Sequence, residues 1–118
     1  MGIATTVFWR LFVDTGKSAF AEKVLKEIVK QIGEVQLIKK EAYWKDKALY
    51  ELEFEQLIQA EDVKELLYQI LRKAALISNS WQLSLPSGLH TNHDEISGIT
   101  EGSFKVHSLK WGSFIINQ

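Results

Sequence analysis

The sequence contains no cysteine among its 118 residues and a single proline, Pro86. The lack of cysteine excludes disulfide bonds, thiolate ligands for zinc or iron–sulfur clusters, and thiol nucleophiles. Pro86 follows an alternating segment and ends the strand that is predicted there, because proline cannot donate a hydrogen bond to a sheet.

The chain also lacks an excess of charge of either sign. Its 14 basic and 15 acidic side chains leave a formal charge of −1, so no overall field attracts phosphates or an anionic membrane surface. No apolar run approaches the roughly 18 residues that a membrane-spanning helix needs. We therefore expect a soluble, cytoplasmic protein that binds neither nucleic acid nor membranes.

What is present is the composition of an ordinary folded domain, with 46% apolar and 25% charged residues. A chain of this length buries roughly two-thirds of the surface that its unfolded form exposes, which is enough for one core. We find no internal repeat and no sign of a second domain. The sequence therefore predicts a single α+β domain over residues 1–118.

Apolar residues that alternate predict strands, and apolar residues spaced three to four apart predict helices. These patterns occur in the order β-α-β-β-α-β, followed by a C-terminal strand region. A polar connection at residues 45–48 predicts a hairpin between the second and third strands. The helices are predicted at 18–32 and 60–75, and the strands at 6–14, 35–44, 49–57, 77–85 and 104–117.

This order is that of the ferredoxin-like sandwich, in which the first and third strands lie side by side at the centre of the sheet. We therefore predict a ferredoxin-like β-α-β-β-α-β sandwich with two helices on one face of an antiparallel sheet. The remaining residues predict an extra C-terminal strand or hairpin. Because this scaffold carries enzymes, binding modules and regulatory domains alike, it does not specify a function.

The third predicted strand has the clearest alternation in the chain, and it places Glu51, Glu53 and Glu55 on one face. Neighbouring carboxylates about 7 Å apart repel one another, so basic side chains are expected nearby. Arg10 and Lys39 are the candidates, because their strands are predicted to lie beside this one.

Aromatic residues are predicted to share this face of the sheet. Phe8, Arg10 and Phe12 occupy alternate positions of the first strand, so they point to the face opposite to that of its other apolar residues. Large apolar groups on an open sheet face are typical of a surface that is covered by a partner. Trp44 precedes the predicted hairpin turn, where an exposed indole indicates a contact residue. These residues and the three glutamates form the predicted partner-binding site.

The segment 86–102 is rich in Ser, Gly, Asn, Asp and His and is longer than an unstructured connection usually is. It predicts either a functional loop or a hidden short strand. His90, His93 and Asp94 are its candidate metal ligands, since imidazoles with a carboxylate suit zinc or iron. Polar loops also collect these residue types to form turns. We therefore predict no metal site and no cofactor, and keep these three residues as weak candidates.

No catalytic constellation stands out, because no serine lies in a glycine-flanked elbow and no nucleophile accompanies the loop histidines. The sequence therefore favours a protein that is not an enzyme. The first hypothesis is a protein-binding module that binds a protein partner or a second copy of itself through the acidic and aromatic face. Such a module acts as an immunity-type inhibitor or a regulatory subunit.

The alternative hypothesis is a dimeric α+β barrel that binds a small ligand or acts as an enzyme. Phe8 and Phe12 would line its apolar cavity, and His90 or His93 would carry the chemistry. The glutamate row opposes this hypothesis, because carboxylates that point into an apolar cavity must be paired or protonated.

Overall fold

The computed structural model describes residues 2–84 and 95–117, and within these ranges the chain forms two helices and one antiparallel sheet. The helices are α1 (Ser18–Ile32) and α2 (Val63–Ile77). The strands are β1 (Ile3–Val13), β2 (Gln36–Tyr43), β3 (Asp46–Ala60), β4 (Gln82–Ser84), β5 (Glu95–Thr100) and β6 (Leu109–Asn117). The predicted α+β class is confirmed.

Both helices pack on the same side of the sheet, since each contacts β3 and they contact each other. Alternate side chains of β1 point towards them, and Val7, Trp9, Leu11 and Val13 are fully buried there in one apolar core. No element in the described part of the chain lies over the opposite side. We call the side that points away from α1 and α2 the outer face.

The ends of the helices follow from local hydrogen bonding. The side chain of Asp62 accepts the N–H of Glu65 at 2.8 Å, which satisfies a free donor in the first turn of α2. Gly33 ends α1 with a φ of 98°, a conformation that glycine adopts at little cost, and its N–H donates to the Val29 carbonyl. The N-cap of α1 is Lys17, which makes no side-chain capping bond.

The ferredoxin-like strand order is not confirmed, because the sheet runs β2-β3-β1-β6-β5-β4. The first three strands have the expected arrangement, with β3 between β2 and β1. In a ferredoxin-like sheet the strand after α2 lies on the other side of β1, but here β4 has only 3 residues and lies at the far edge. The place beside β1 is taken by β6, whose residues from Leu109 to Ile116 pair with it.

Close packing explains why β6 fits beside β1. A Cβ atom on Gly112 would lie 2.6 Å from Cδ2 of the buried Leu11, so any larger residue here would force Leu11 to shift. The segment after α2 instead brings Trp81 under the sheet, where its indole lies 6.3 Å from Trp9 and donates to the Ala74 carbonyl at 2.7 Å. The β1–β6 register shifts at Lys110, which lies between the paired residues Leu109 and Trp111.

The hairpin boundary also differs from the prediction. The hairpin turn is Trp44–Lys45, and β3 already begins at Asp46, because Tyr43 pairs with Asp46. The polar segment after Pro86 contains β5 in its second half, which is the hidden strand that the sequence left open. In the described ranges, neither helix has the length and apolar character needed to cross a membrane.

Candidate functional site on the outer face

Three rows of side chains cross the outer face, because residues directly opposite each other in an antiparallel pair share a face. The rows are Glu55–Phe8–Ile115, Glu53–Arg10–Ser113 and Glu51–Phe12–Trp111, each running from β3 through β1 to β6. The register therefore brings together the three glutamates, the two phenylalanines and the arginine that the sequence singles out.

The middle of the face holds a network of charges, which we call the ion cluster: Arg10, Lys39, Glu41, Glu51 and Glu53. Nε of Arg10 donates to Oε2 of Glu51 at 2.7 Å, and Nη2 lies 2.6 Å from the same oxygen. Nζ of Lys39 donates to the other oxygen of Glu51 at 3.3 Å. The expected pairing with Arg10 and Lys39 is confirmed for Glu51 and Glu53 of the glutamate row.

The remaining carboxylates of the ion cluster are held less closely. Oε2 of Glu53 lies 3.6 Å from Nε of Arg10 and 3.9 Å from Nζ of Lys39, and Oε1 of Glu41 lies 3.6 Å from Lys39. Two cations thus face three carboxylates, so the cluster carries a net negative charge.

The pKa values of the two central carboxyls are shifted in opposite directions. Burial acts to raise the pKa of Glu51, but the hydrogen bonds from Arg10 and Lys39 outweigh it and hold that pKa below its usual range. Burial raises the pKa of Glu53, and the neighbouring Glu51 carboxylate raises it further. Of these two carboxyls, Glu53 therefore takes up a proton at the higher pH.

One end of the outer face carries an aromatic cluster, formed by Phe12, Tyr43 and Trp111 from three strands. The ring of Phe12 lies 4.6 Å from that of Tyr43 and 5.5 Å from that of Trp111, and the Arg10 guanidinium lies 4.9 Å above it. These residues border a shallow depression of about 320 Å³ that is lined by Arg10, Phe12, Tyr43, Leu49, Lys110 and Trp111.

Trp44 lies beside the aromatic cluster, in the β2–β3 turn. Its side chain is 74% exposed, its ring lies 6.2 Å from that of Tyr43, and Nζ of Lys45 lies 5.0 Å above it. The sequence predicts an exposed indole at the hairpin, and the structure has one. A rigid aromatic side chain in this position enlarges the apolar area at this end of the face.

The opposite end of the outer face is apolar and acidic. Phe8 and Ile115 are half-buried there, and Leu57 of β3 is 64% exposed. Glu55 and Glu34 line a depression beside Leu57, and no cation lies within ion-pair distance of either one in residues 2–84 and 95–117. Lys110 and Lys45 lie at the other end of the face, which also carries Glu51 and Glu41.

The candidate metal ligands His90, His93 and Asp94 lie outside the described residues. The remaining loop histidine, His107, packs near Phe20 at 6.0 Å, and its Nδ1 lies 3.1 Å from Oγ of Ser108. Within the described ranges, no group of three or more His, Cys, Asp or Glu side chains is arranged to hold a metal ion.

Tyr43, Leu57, Trp111 and Ile115 lie on the outer face but are absent from the sequence-based site. The alternation of Trp111 and Ile115 with the buried Phe114 and Ile116 placed them on one side of a strand. It did not say which strand lies next to them. Only the β1–β6 register puts Trp111 opposite Phe12 and Ile115 opposite Phe8.

Neither a scan against protein-family models nor searches of curated proteins and of solved structures found a match to this chain. The function is therefore argued from the outer face itself.

Proposed function

We propose that this chain is a protein-binding module, and that it binds a partner polypeptide through the outer face. The observation that carries the proposal is the aromatic cluster of Phe12, Tyr43 and Trp111, continued by the exposed Trp44. Tryptophan, tyrosine and arginine dominate the binding energy of protein interfaces. Here all three types lie within one patch on a side of the sheet that neither helix covers.

The apolar surface of this patch favours binding of a large partner that covers both ends of the face. Trp44 and Leu57 are 74% and 64% exposed at opposite ends of the face, and half-buried rings and aliphatic side chains lie between them. Burial of apolar area contributes about 25 cal/mol for each Å² removed from water. A partner that covers both ends gains this contribution from each of them.

The charges of the face are expected to orient a bound partner more than to increase the affinity for it. The ion cluster already pairs Arg10 and Lys39 internally, so its net negative charge and Glu55, which has no ion pair within residues 2–84 and 95–117, attract basic groups on a partner. Such a surface suits an inhibitor that covers a basic site on another protein, or a regulatory subunit. Rim charges of this kind mainly accelerate association and exclude partners of the wrong charge.

The test compares capture of partners by two matched double variants from cells that express the chain. Trp44→Ala with Leu57→Ser alters the two most exposed apolar residues of the outer face. Tyr68→Ala with Leu76→Ser makes the same kind of change on the surface of α2, where Tyr68 is 61% exposed beneath Arg72. All four side chains are exposed, so both variants are expected to fold.

The proposal expects a polypeptide that the wild type and the α2 variant bind and the outer-face variant does not. Binding by the two variants to the same extent would contradict it, because the partner would then use another surface. Circular dichroism of each variant checks that loss of binding does not reflect loss of structure.

A further inference from the structure

The depression beside the aromatic cluster is lined mainly by apolar side chains. The ring of Phe12 contacts those of Tyr43 and Trp111 at 4.6 Å and 5.5 Å, and Leu49 completes the apolar lining. Phe12 is only 8% exposed, whereas the other three side chains are half-buried. The volume of about 320 Å³ lies at the lower end of the range of small-molecule sites, which begins at about 300 Å³. The depression therefore has space for a single ring system.

The charged residues that line this depression are both cations, Arg10 and Lys110. The charge of Arg10 is balanced by Glu51, which binds the guanidinium through Nε and Nη2 and is itself only 2% exposed. Lys110, in contrast, has no carboxylate within ion-pair distance in the described part of the chain. Lys110 is thus the cation that can pair with a ligand.

The carboxylates nearby are held by other cations. Glu53 lies 3.6 Å from Nε of Arg10, and Glu41 lies 3.6 Å from Nζ of Lys39. Neither side chain lines the depression within residues 2–84 and 95–117. A negative group can therefore pair with Lys110 without breaking an ion pair of the fold. Because the ion cluster carries a net negative charge, a ligand with a second negative charge would be repelled.

From these observations we infer that the depression binds a small aromatic molecule with one negative charge, such as an aromatic carboxylate. Flat rings pack favourably against aromatic side chains in offset or edge-to-face contacts, which Phe12, Tyr43 and Trp111 offer. The carboxylate pairs with Lys110, and the same lysine disfavours a cationic ligand of equal shape. The inference goes beyond the proposed function, because it concerns a small molecule and needs no partner polypeptide.

The test titrates the isotope-labelled full chain with naphthoate and follows backbone amide and indole signals by NMR. The indole N–H signal of Trp111 and the amide signals of Phe12 and Tyr43 are expected to shift until they saturate. Naphthamide has the same ring system without the charge. It should therefore bind roughly fivefold more weakly, which is the contribution of one favourable exposed ion pair.

Two matched lysine variants separate the charge from the apolar lining. Lys110→Gln removes the cation that lines the depression, so naphthoate should bind roughly fivefold more weakly while the binding of naphthamide stays unchanged. Lys64→Gln makes the same change of net charge on α2, away from the outer face, and should bind both compounds like the wild type. Both lysines are exposed, so both variants are expected to fold.

Three results would overturn the inference. The first is a titration in which naphthoate causes no saturable shift. The second is naphthoate binding that Lys110→Gln leaves as strong as in the wild type. The third is a set of saturable shifts that excludes Trp111, Phe12 and Tyr43, because the ligand would then occupy another part of the molecule.

The inference and the proposed function fail in different ways. A chain that binds naphthoate as described but captures no polypeptide through the outer face would contradict the proposed function alone. A chain that loses a bound polypeptide through Trp44→Ala with Leu57→Ser, but does not bind naphthoate, would overturn this inference and leave the binding module standing.

Discussion

The guanidinium of Arg10 binds a single oxygen of Glu51, with Nε at 2.7 Å and Nη2 at 2.6 Å from Oε2. The Glu51 side chain is only 2% exposed, although it points away from the helices and towards the outer face. Arg10 and the neighbouring residues shield it from water. The contact therefore stabilises the fold and also fixes the centre of the proposed binding surface.

Replacement of Glu51 by glutamine is expected to destabilise the protein by about 1–3 kcal/mol, because Arg10 and Lys39 lose a charged acceptor that is largely buried. Urea unfolding followed by circular dichroism measures the change. Glu55→Gln is the matched control, since Glu55 has no ion pair in residues 2–84 and 95–117. Equal midpoints for Glu51→Gln and the wild type would contradict the role of this contact.

Replacement of Glu53 by glutamine is expected to raise Tm at neutral pH. Burial and the Glu51 carboxylate raise the pKa of Glu53 in the folded state, so the charged form of Glu53 is less favourable there than in the unfolded chain. The wild type gains stability as the pH falls through this raised pKa towards the usual value of 4.5.

The advantage of Glu53→Gln should therefore disappear in acid. The lowered pKa of Glu51 does not confuse the result, because its contribution is lost only at pH values below the usual range. Thermal unfolding of both proteins from neutral to acidic pH provides the comparison. A Tm below that of the wild type at neutral pH would mean that attraction to Arg10 and Lys39 outweighs the burial of Glu53.

Substitution of Gly112 by alanine is expected to destabilise the fold by about 1–3 kcal/mol. The added Cβ would lie 2.6 Å from Cδ2 of Leu11, which is fully buried and has little room to move. Gly102→Ala is the control, because no atom lies within 4 Å of a Cβ added there. Chemical unfolding of the two variants decides whether close approach of β1 and β6 depends on this glycine.

Removal of the Asp62 side chain is expected to weaken α2. Asp62→Ala leaves the N–H of Glu65 without its acceptor and should reduce the free energy of unfolding by about 1 kcal/mol. Lys17→Ala at the start of α1 removes no capping bond, so it should change stability much less. The predicted contribution of the Asp62 cap is contradicted if both alanine variants unfold at the same urea concentration.

Local patterns were sufficient to predict several features of the outer face. The alternation in β3 and β1 put three glutamates, two phenylalanines and Arg10 on it, since successive side chains of a strand point to opposite faces. The pairing of Arg10 and Lys39 with Glu51 and Glu53 followed from like-charge repulsion together with the predicted neighbouring strands. The exposed Trp44 followed from its position at a hairpin turn.

The sequence by itself determined the span of α1, the alternation of β1 and β3 and the charge pattern of the outer face, because each depends on residues close together in the chain. Only the tertiary structure decided that β6 lies beside β1, and hence that Trp111 and Ile115 complete the face. Strand order depends on contacts between distant segments, here Leu11 against Gly112 and Trp81 against Trp9. A period-two pattern shows which side chains share a face but does not show which strand lies next to it.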